Sequence, residues 1–209
     1  MLGMDEPYRQ LSDEELLLRC KDGTPEDARV CIDIVVARYE AQLVNYLYRM
    51  LGDRGAAEDI FQETFIRIFR KVREYKTIAR FTTWMYTIAT NLALNEIRNR
   101  KKRPKTILDQ PARGTEGEHG LGSSIPSAAE TPDTILQRRD IGRIVQKAVA
   151  RVPEVYRAVL ILCDLEGLPY QEAANILDVK LGTIRSRLAR AREFFQRAFA
   201  PYLSQLEEK

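Results

Sequence analysis

Along most of this chain, large apolar residues recur three and four positions apart, the spacing that lines one face of an α-helix. Ser12 and Glu15 form a capping box ahead of Leu16, Leu17 and Leu18. Thr24-Pro25 supplies a cap and a first-turn proline to a long helix through Ile34, Val35, Leu43, Leu47 and Leu51, with a stop at Gly52. A third helix is predicted from near Ala56, turning Ile60, Phe65, Ile68, Phe69 and Val72 inward. A fourth starts after Thr82 or Thr83 and carries Trp84, Ile88, Leu92 and Ile97. It runs into the basic stretch Arg98-Asn99-Arg100-Lys101-Lys102-Arg103, and Pro104 ends it.

The pattern resumes at Thr131-Pro132 with a helix that turns Ile135, Ile141, Ile144, Val145, Ala148 and Val149 inward. Pro153 starts another, with Tyr156, Val159, Leu160 and Cys163 inward and Gly167 at its end. A short helix from Tyr170 to Leu177, a turn at Asp178-Val179 and a last helix from about Leu181 to about residue 200 complete the chain. No period-2 run of β-branched residues is long enough for a strand, so the fold class is all-α. Between the two patterned halves, Asp109 to Asp133 holds four Gly, three Pro and three Ser with few large apolar residues. Such a segment buries too little surface to offset its chain entropy and reads as a flexible linker. The predicted organisation is two small helical domains, residues 1–105 and 134–209, joined by residues 106–133.

The last two helices have the helix-turn-helix pattern. Ile184, Leu188 and Ala191 share the face that packs on Ala173, Ala174 and Leu177. Thr183, Arg185, Ser186, Arg187 and Arg190 are left on the open side. Arginine in a major groove bonds guanine O6 and N7 in bidentate fashion, and hydroxyls suit phosphates or base edges. In the first half, Asp59, Gln62 and Glu63 form a compact polar patch at helical spacing beside Phe61 and Phe65. The residues alone leave it open whether this patch is a solvated helix start or a docking face.

Charge sharpens the DNA reading. The chain has 209 residues and a net charge of only +3. By segment it is −7 over residues 1–64, +10 over 65–105, −4 over 106–136, +5 over 137–200 and −1 over the tail. Two basic blocks separated by an acidic one fit nucleic acid meeting two faces. Other chemistry is missing. Cys20, Cys31 and Cys163 are scattered with no C-x-x-C pair, which points to packing rather than redox or metal work. His119 is the single histidine, so no His-based metal site or Ser-His-Asp triad is available. No catalytic residue, metal or cofactor is expected, and the chain reads as no enzyme. The longest uncharged run, Phe81 to Asn95, is interrupted by threonines and asparagines, and no signal peptide is visible. The expectation is no membrane insertion and a cytoplasmic location.

Two motif sets carry a family resemblance. Ala57-Glu58-Asp59-x-x-Gln62-Glu63-x-Phe65, followed by Phe81-Thr82-Thr83-Trp84-Met85-Tyr86-x-Ile88-Ala89-x-Asn91 and Arg98, resembles region 2 of bacterial RNA polymerase sigma factors. Glu166-Gly167-Leu168-Pro169-Tyr170-Gln171-Glu172-Ala173-Ala174-x-Ile176-Leu177, with Gly182-Thr183-Ile184-Arg185-Ser186-Arg187-Leu188-x-Arg190-Ala191-Arg192, resembles region 4. Two such regions joined directly by a linker is the layout of the extracytoplasmic-function (ECF, group IV) branch of the sigma-70 family.

The resemblance implies roles. Asp59, Gln62, Glu63 and Phe65 would bind core RNA polymerase, at the β′ clamp helices, with the β subunit a further partner. Arg80, Thr83, Asn91, Asn95, Arg98, Arg100, Lys101, Lys102 and Arg103 would hold the −10 promoter element as single strand, with Asn91 at the edge of a flipped base. Thr183, Arg185, Ser186, Arg187 and Arg190 would read the −35 element as duplex. The linker would thread the polymerase channel, and an anti-sigma factor would be a further partner. Departures also appear. Thr87 and Ile88 stand where housekeeping sigma factors carry a tryptophan wedge, which implies weaker melting and stricter promoters. Pro169 replaces a Ser or Thr cap, and Asp178 a turn glycine. The alternative is a conventional helix-turn-helix regulator that binds DNA without being a polymerase subunit.

Overall fold

The computed structural model describes residues 6–74, 80–102 and 132–207. The linker expected at 106–133 falls, up to residue 131, outside the described residues. The first domain comprises α1 (Glu6–Arg9), α2 (Asp13–Asp22), α3 (Pro25–Leu51), α4 (Arg54–Lys71) with a 3₁₀ turn (Val72–Glu74), and α5 (Phe81–Lys102). The second comprises α6 (Pro132–Arg151), α7 (Glu154–Leu160), which passes into a π-helical turn (Ile161–Leu165), α8 (Tyr170–Ile176) and α9 (Leu181–Glu207). Among the described residues no strand occurs, in line with the all-α expectation.

Local chemistry sets most helix boundaries. At α2, Ser12 Oγ accepts the Glu15 N–H at 3.3 Å and the Glu15 carboxylate accepts the Ser12 N–H at 2.7 Å. At α3, Thr24 and Asp27 make the same reciprocal pair, and Gly52 closes the helix in the left-handed region at φ 71°. α4 begins earlier than the periodicity predicts, because Asp53 caps it by accepting the Ala56 N–H at 3.0 Å. The start of α5 is capped from elsewhere: the Phe81 N–H donates to the Glu14 carboxylate of α2 at 3.2 Å. Asp178 takes φ 49° in the turn before α9, a conformation Asp tolerates better than most side chains. α9 continues through Pro201 to Glu207, past the expected end.

Asp27 also accepts the Tyr8 hydroxyl, which ties α1 to α3. The Tyr8 bond first, then the bonds from Thr24, lower its pKa to about 2. A folded pKa below the unfolded value of about 3.9 contributes stability above that value and loses it as pH falls toward 2. Asp27→Asn is therefore expected to lower the Tm at pH 7, with the gap from the native chain closing between about pH 4 and pH 2. Thermal scans across that window check it, and a gap of constant size there refutes the charge-based account.

The first core is built from Leu16, Leu17, Leu43, Tyr46, Leu47, Met50, Phe81 and Met85, all fully buried. Tyr46 is tolerated inside because its hydroxyl is paired with Thr90 Oγ1 at 2.6 Å, and its ring meets Tyr86 edge-on at 5.0 Å. α5 turns Phe81, Met85, Ala89, Ala93 and Ile97 inward, while Trp84, Ile88 and Leu92 are half-buried. The small Ala89 and Ala93 allow close approach to α3 and α4. Phe69 and Ile141, assigned inward by periodicity, are exposed, as is Leu18.

The domains meet along α3 and α5. α3 packs against α6, α7 and the π turn, and α5 packs against α8. The wide turn ends at Gly167, φ 70°, and the preceding Glu166 reaches the first domain. Its carboxylate accepts the Tyr86 hydroxyl at 3.0 Å and Gln42 Nε2 at 3.3 Å, and lies 3.7 Å from the Arg49 guanidinium. Arg157 donates to Ala150 O at 2.6 Å and Val152 O at 3.1 Å at the end of α6, and to Met50 O of α3 at 2.8 Å. One guanidinium thereby serves the unpaired carbonyls of two helix C-termini, where the helix dipoles favour a cation. Burial lowers the pKa of Arg157, and burial together with Glu166 raises that of Tyr86.

Candidate nucleic-acid and docking interfaces

α4 presents the acidic face. Asp59 and Gln62 are exposed, and half-buried Glu63 pairs with Arg67 at 2.7 Å one turn on. Phe65 is buried, as its periodicity predicts: it is 9% exposed, with its ring against Phe61 at 5.0 Å. It supports this face from inside. Ile66 and Phe69, which the sequence reading did not assign to the face, continue the Gln62 side of the helix into solvent, Phe69 at 51% exposure. The spacing 62, 66, 69 was the available signal.

α5 carries the larger basic block. Asn91, Asn95 and Arg98 fall at i, i+4 and i+7 on one exposed stripe. Thr83 is buried and sits apart from that stripe; its backbone carbonyl accepts the Thr87 hydroxyl at 2.7 Å. The cations at the two ends of the helix are engaged. Arg80 pairs with Glu172 of α8 at 3.1 Å, and Lys101 with Glu154 of α7 at 2.6 Å. Arg100 pairs with Glu96 at 2.8 Å and Asp53 at 3.5 Å. Lys102 is exposed, and Arg103 lies outside the described residues, as do positions 75–79 of the loop before α5.

The third face is α9. Ile184, Leu188 and Ala191 are buried against a core that includes Ala173, Ala174 and Ile176 of α8, with Leu177 half-buried beside them. This packing turns Arg185, Ser186 and Arg190 to solvent and leaves Thr183 and Arg187 half-buried. Arg185 and Arg187 form no ion pair among the described residues. Arg190 donates to the Tyr156 hydroxyl at 3.3 Å, and Ser186 Oγ to the Thr183 carbonyl at 3.1 Å. Sequence reasoning missed Arg192, which clamps Asp164 with two bonds of 2.8 and 2.7 Å and pins α9 to the π turn. The pairing is long-range, so no local signal announces it.

Among the described residues no cluster of His, Cys, Asp and Glu fits a metal ion, and no helix is long and apolar enough to cross a membrane. Cys20, Cys31 and Cys163 are buried free thiols. Burial raises all three pKa values, Cys20 and Cys163 to about 11, which is the opposite of a thiol primed for reaction.

A helical domain with a basic helix end, next to a helix-turn-helix domain with unpaired arginines on its second helix, defines a two-part DNA-binding protein. Comparison with known proteins narrows this. Residues 35–103 match the Sigma-70 region 2 family and residues 142–195 match Sigma-70, region 4. The chain is 32% identical to the RNA polymerase sigma-H factor of Pseudomonas aeruginosa, over 93% of this chain and 97% of that protein. It is 35% identical to the ECF RNA polymerase sigma factor SigW of Bacillus subtilis, over 76% of this chain and 83% of that one. The fold is shared with the sigma factor RpoE of Bartonella quintana, solved in complex with the anti-sigma factor NepR. That match has a TM-score of 0.56 and 23% identity, over 79% of this chain and 94% of that chain. The protein belongs to the sigma-70 family, in its ECF branch.

Proposed function

We propose that the chain is a promoter-specificity subunit: it binds core RNA polymerase, carries it to particular promoters and promotes initiation. Residues 1–105 act as the region 2 domain and 134–209 as the region 4 domain, with 106–133 between them. The observation that carries this reading is the pairing, in one chain and in family order, of the α4–α5 surface with the α9 surface. The Asp59, Gln62 and Glu63 face of α4, extended by Ile66 and Phe69, docks on the β′ clamp helices. Apolar side chains beside charged ones suit a protein interface.

The exposed stripe Asn91, Asn95 and Arg98 takes the −10 strand. Amides reach base edges there, Asn91 at a flipped base, and the cations Arg80, Arg100, Lys101, Lys102 and Arg103 hold phosphates. Thr183, Arg185, Ser186, Arg187 and Arg190 take the −35 duplex. Phosphodiester synthesis stays with the polymerase, so this chain contributes binding and strand separation and acts in the cytoplasm. An anti-sigma factor is its expected regulator, as for the Bartonella relative.

Run-off transcription with core polymerase on a promoter library tests the proposal. Specific start sites dependent on the chain support it. Absence of both start sites and core binding, with stable palindrome binding by the chain alone, supports a conventional regulator instead. Asp59→Ala is expected to weaken core binding by about 1 kcal/mol or more, roughly fivefold, in an anisotropy titration, and to spare −35 recognition. Equal loss of core affinity in Asp59→Ala and Arg187→Ala contradicts the assigned roles.

A further inference from the structure

We infer that Arg192 and Asp164 form a positioning pair that fixes the roll of α9 about its own axis, and with it the aim of the side chains that read duplex DNA. This rests on the assignment of α9 to duplex DNA made above, which a polymerase subunit and a conventional regulator share. Ile184, Leu188 and Ala191 seat α9 against α8, but apolar burial is non-directional and sets the angle of a helix only loosely. A planar guanidinium on a carboxylate is directional. Arg192 Nε and Nη2 donate to the two oxygens of Asp164 at 2.8 and 2.7 Å. Arg192 follows Arg185 by seven residues, two turns along the same side of the helix and about 10 Å behind it. With side chains a helix is about 10–12 Å across, so a roll of about 20° displaces a surface group by roughly 2 Å. Binding groups have to be held within about 0.5 Å, so a bidentate base contact does not survive that displacement.

The other end of the pair is anchored in the core. Asp164 stands in the π turn, directly after the buried Ile161, Leu162 and Cys163. The Glu166 N–H reaches back to Ile161 O at 2.8 Å, and the Leu168 N–H to Leu162 O at 2.9 Å. The widened turn holds an extra residue, which changes the side on which Asp164 emerges from the one a regular α-helix would give it. Asp164 and, after it, Tyr170 at the start of α8 raise the pKa of Arg192. The guanidinium thus sits where the π turn, α8 and α9 meet. Arg190 adds only a single, longer bond to Tyr156, at 3.3 Å. The Arg192 side chain is 50% exposed and that of Asp164 27%, and exposed pairs contribute little to stability. What the two-bond form adds is fixed geometry.

The test uses the full chain, alone and with core polymerase, and a random pool of short duplexes from which the native chain enriches its preferred sequence. Affinity for that duplex and for a scrambled one is then measured across a salt series. Asp164→Asn leaves one acceptor oxygen and Arg192→Lys an ammonium without the planar fork, so each removes the two-bond geometry at little change in size. Both are expected to lower the preference for the enriched duplex about tenfold through loosened base contacts. Affinity for the scrambled duplex and the Tm should not fall. Asp164 decides the matter, because a carboxylate has no attraction for phosphate and acts on DNA only through Arg192. Native preference in Asp164→Asn overturns the inference. A salt slope reduced by about one in Arg192→Gln also overturns it, by making that arginine a phosphate contact. Equal loss on both duplexes with a lowered Tm does the same, by making the pair a structural tie alone. If no duplex is enriched with or without polymerase, α9 is no duplex reader and the inference falls. The sigma function fails separately: a chain that enriches duplex alone and ignores core polymerase loses that function and keeps the Asp164 result.

Discussion

Arg187→Ala is expected to reduce promoter-specific transcription roughly 5- to 150-fold, the equivalent of about 1–3 kcal/mol for a lost bidentate base contact. α9 leaves this side chain half-buried, at the edge of the face on which Ile184, Leu188 and Ala191 are buried. The guanidinium makes no ion pair among the described residues, so DNA meets it without an internal bond to break. Run-off transcription on a promoter and on its −35 variants is the measurement. A base contact predicts that the variant protein no longer distinguishes the two templates. Equal loss on both templates marks Arg187 as a phosphate contact. Arg190→Ala serves as the comparison. Its guanidinium is already bonded to the Tyr156 hydroxyl at 3.3 Å, and a smaller effect is expected. Core polymerase affinity should be unchanged in both.

Arg157→Ala is expected to destabilise the chain by roughly 2–3 kcal/mol, because charged hydrogen bonds at part-buried sites are worth about 1.5–3 kcal/mol and three carbonyls lose their donor together. Urea unfolding followed by circular dichroism measures it. Arg157→Lys should recover only part, since an ammonium lacks the planar fork that reaches several acceptors at once. Two of the three acceptors belong to the second domain and one to the first. The variant should therefore also separate the unfolding of the two domains into distinguishable transitions. A loss below about 0.5 kcal/mol would mean that water serves these carbonyls as well as the guanidinium does.

Short-range chemistry was legible along the chain. The Ser12–Glu15 box, the Thr24-Pro25 start, the Gly52 stop and the Asp178 turn all lie where the sequence places them, because each depends on residues within one helical turn. The buried triplet Ile184, Leu188 and Ala191 was equally legible, and it orients the open face of α9. The misreadings concern α4, α5 and, on α6, Ile141. α4 buries Thr64, whose hydroxyl donates to the Ile60 carbonyl at 2.7 Å, and leaves Phe69 in solvent. A polar residue satisfied by its own helix and an apolar one left exposed rotate the true inner face away from the one that hydrophobicity marks. Phe65 is buried where periodicity placed it, and it underlies the docking face to which the resemblance assigned it. On α5, apolar residues surround much of the helix, so periodicity alone did not select the deepest stripe.

By itself the sequence determined the helices, the two-domain order, the helix-turn-helix and the segregation of charge, since all of these follow from spacing and from side chains near each other in the chain. Tertiary structure decided which groups remain available. The Glu14 cap on α5, the Arg192–Asp164 clamp, the Arg157 junction and the Glu166 socket join residues from 28 to 124 positions apart, or cap a helix from 67 away. Arg80 and Lys101 read alike in the sequence as free cations. Only the packing of the second domain on α5 gives each a carboxylate partner, because an ion pair depends on distance in space.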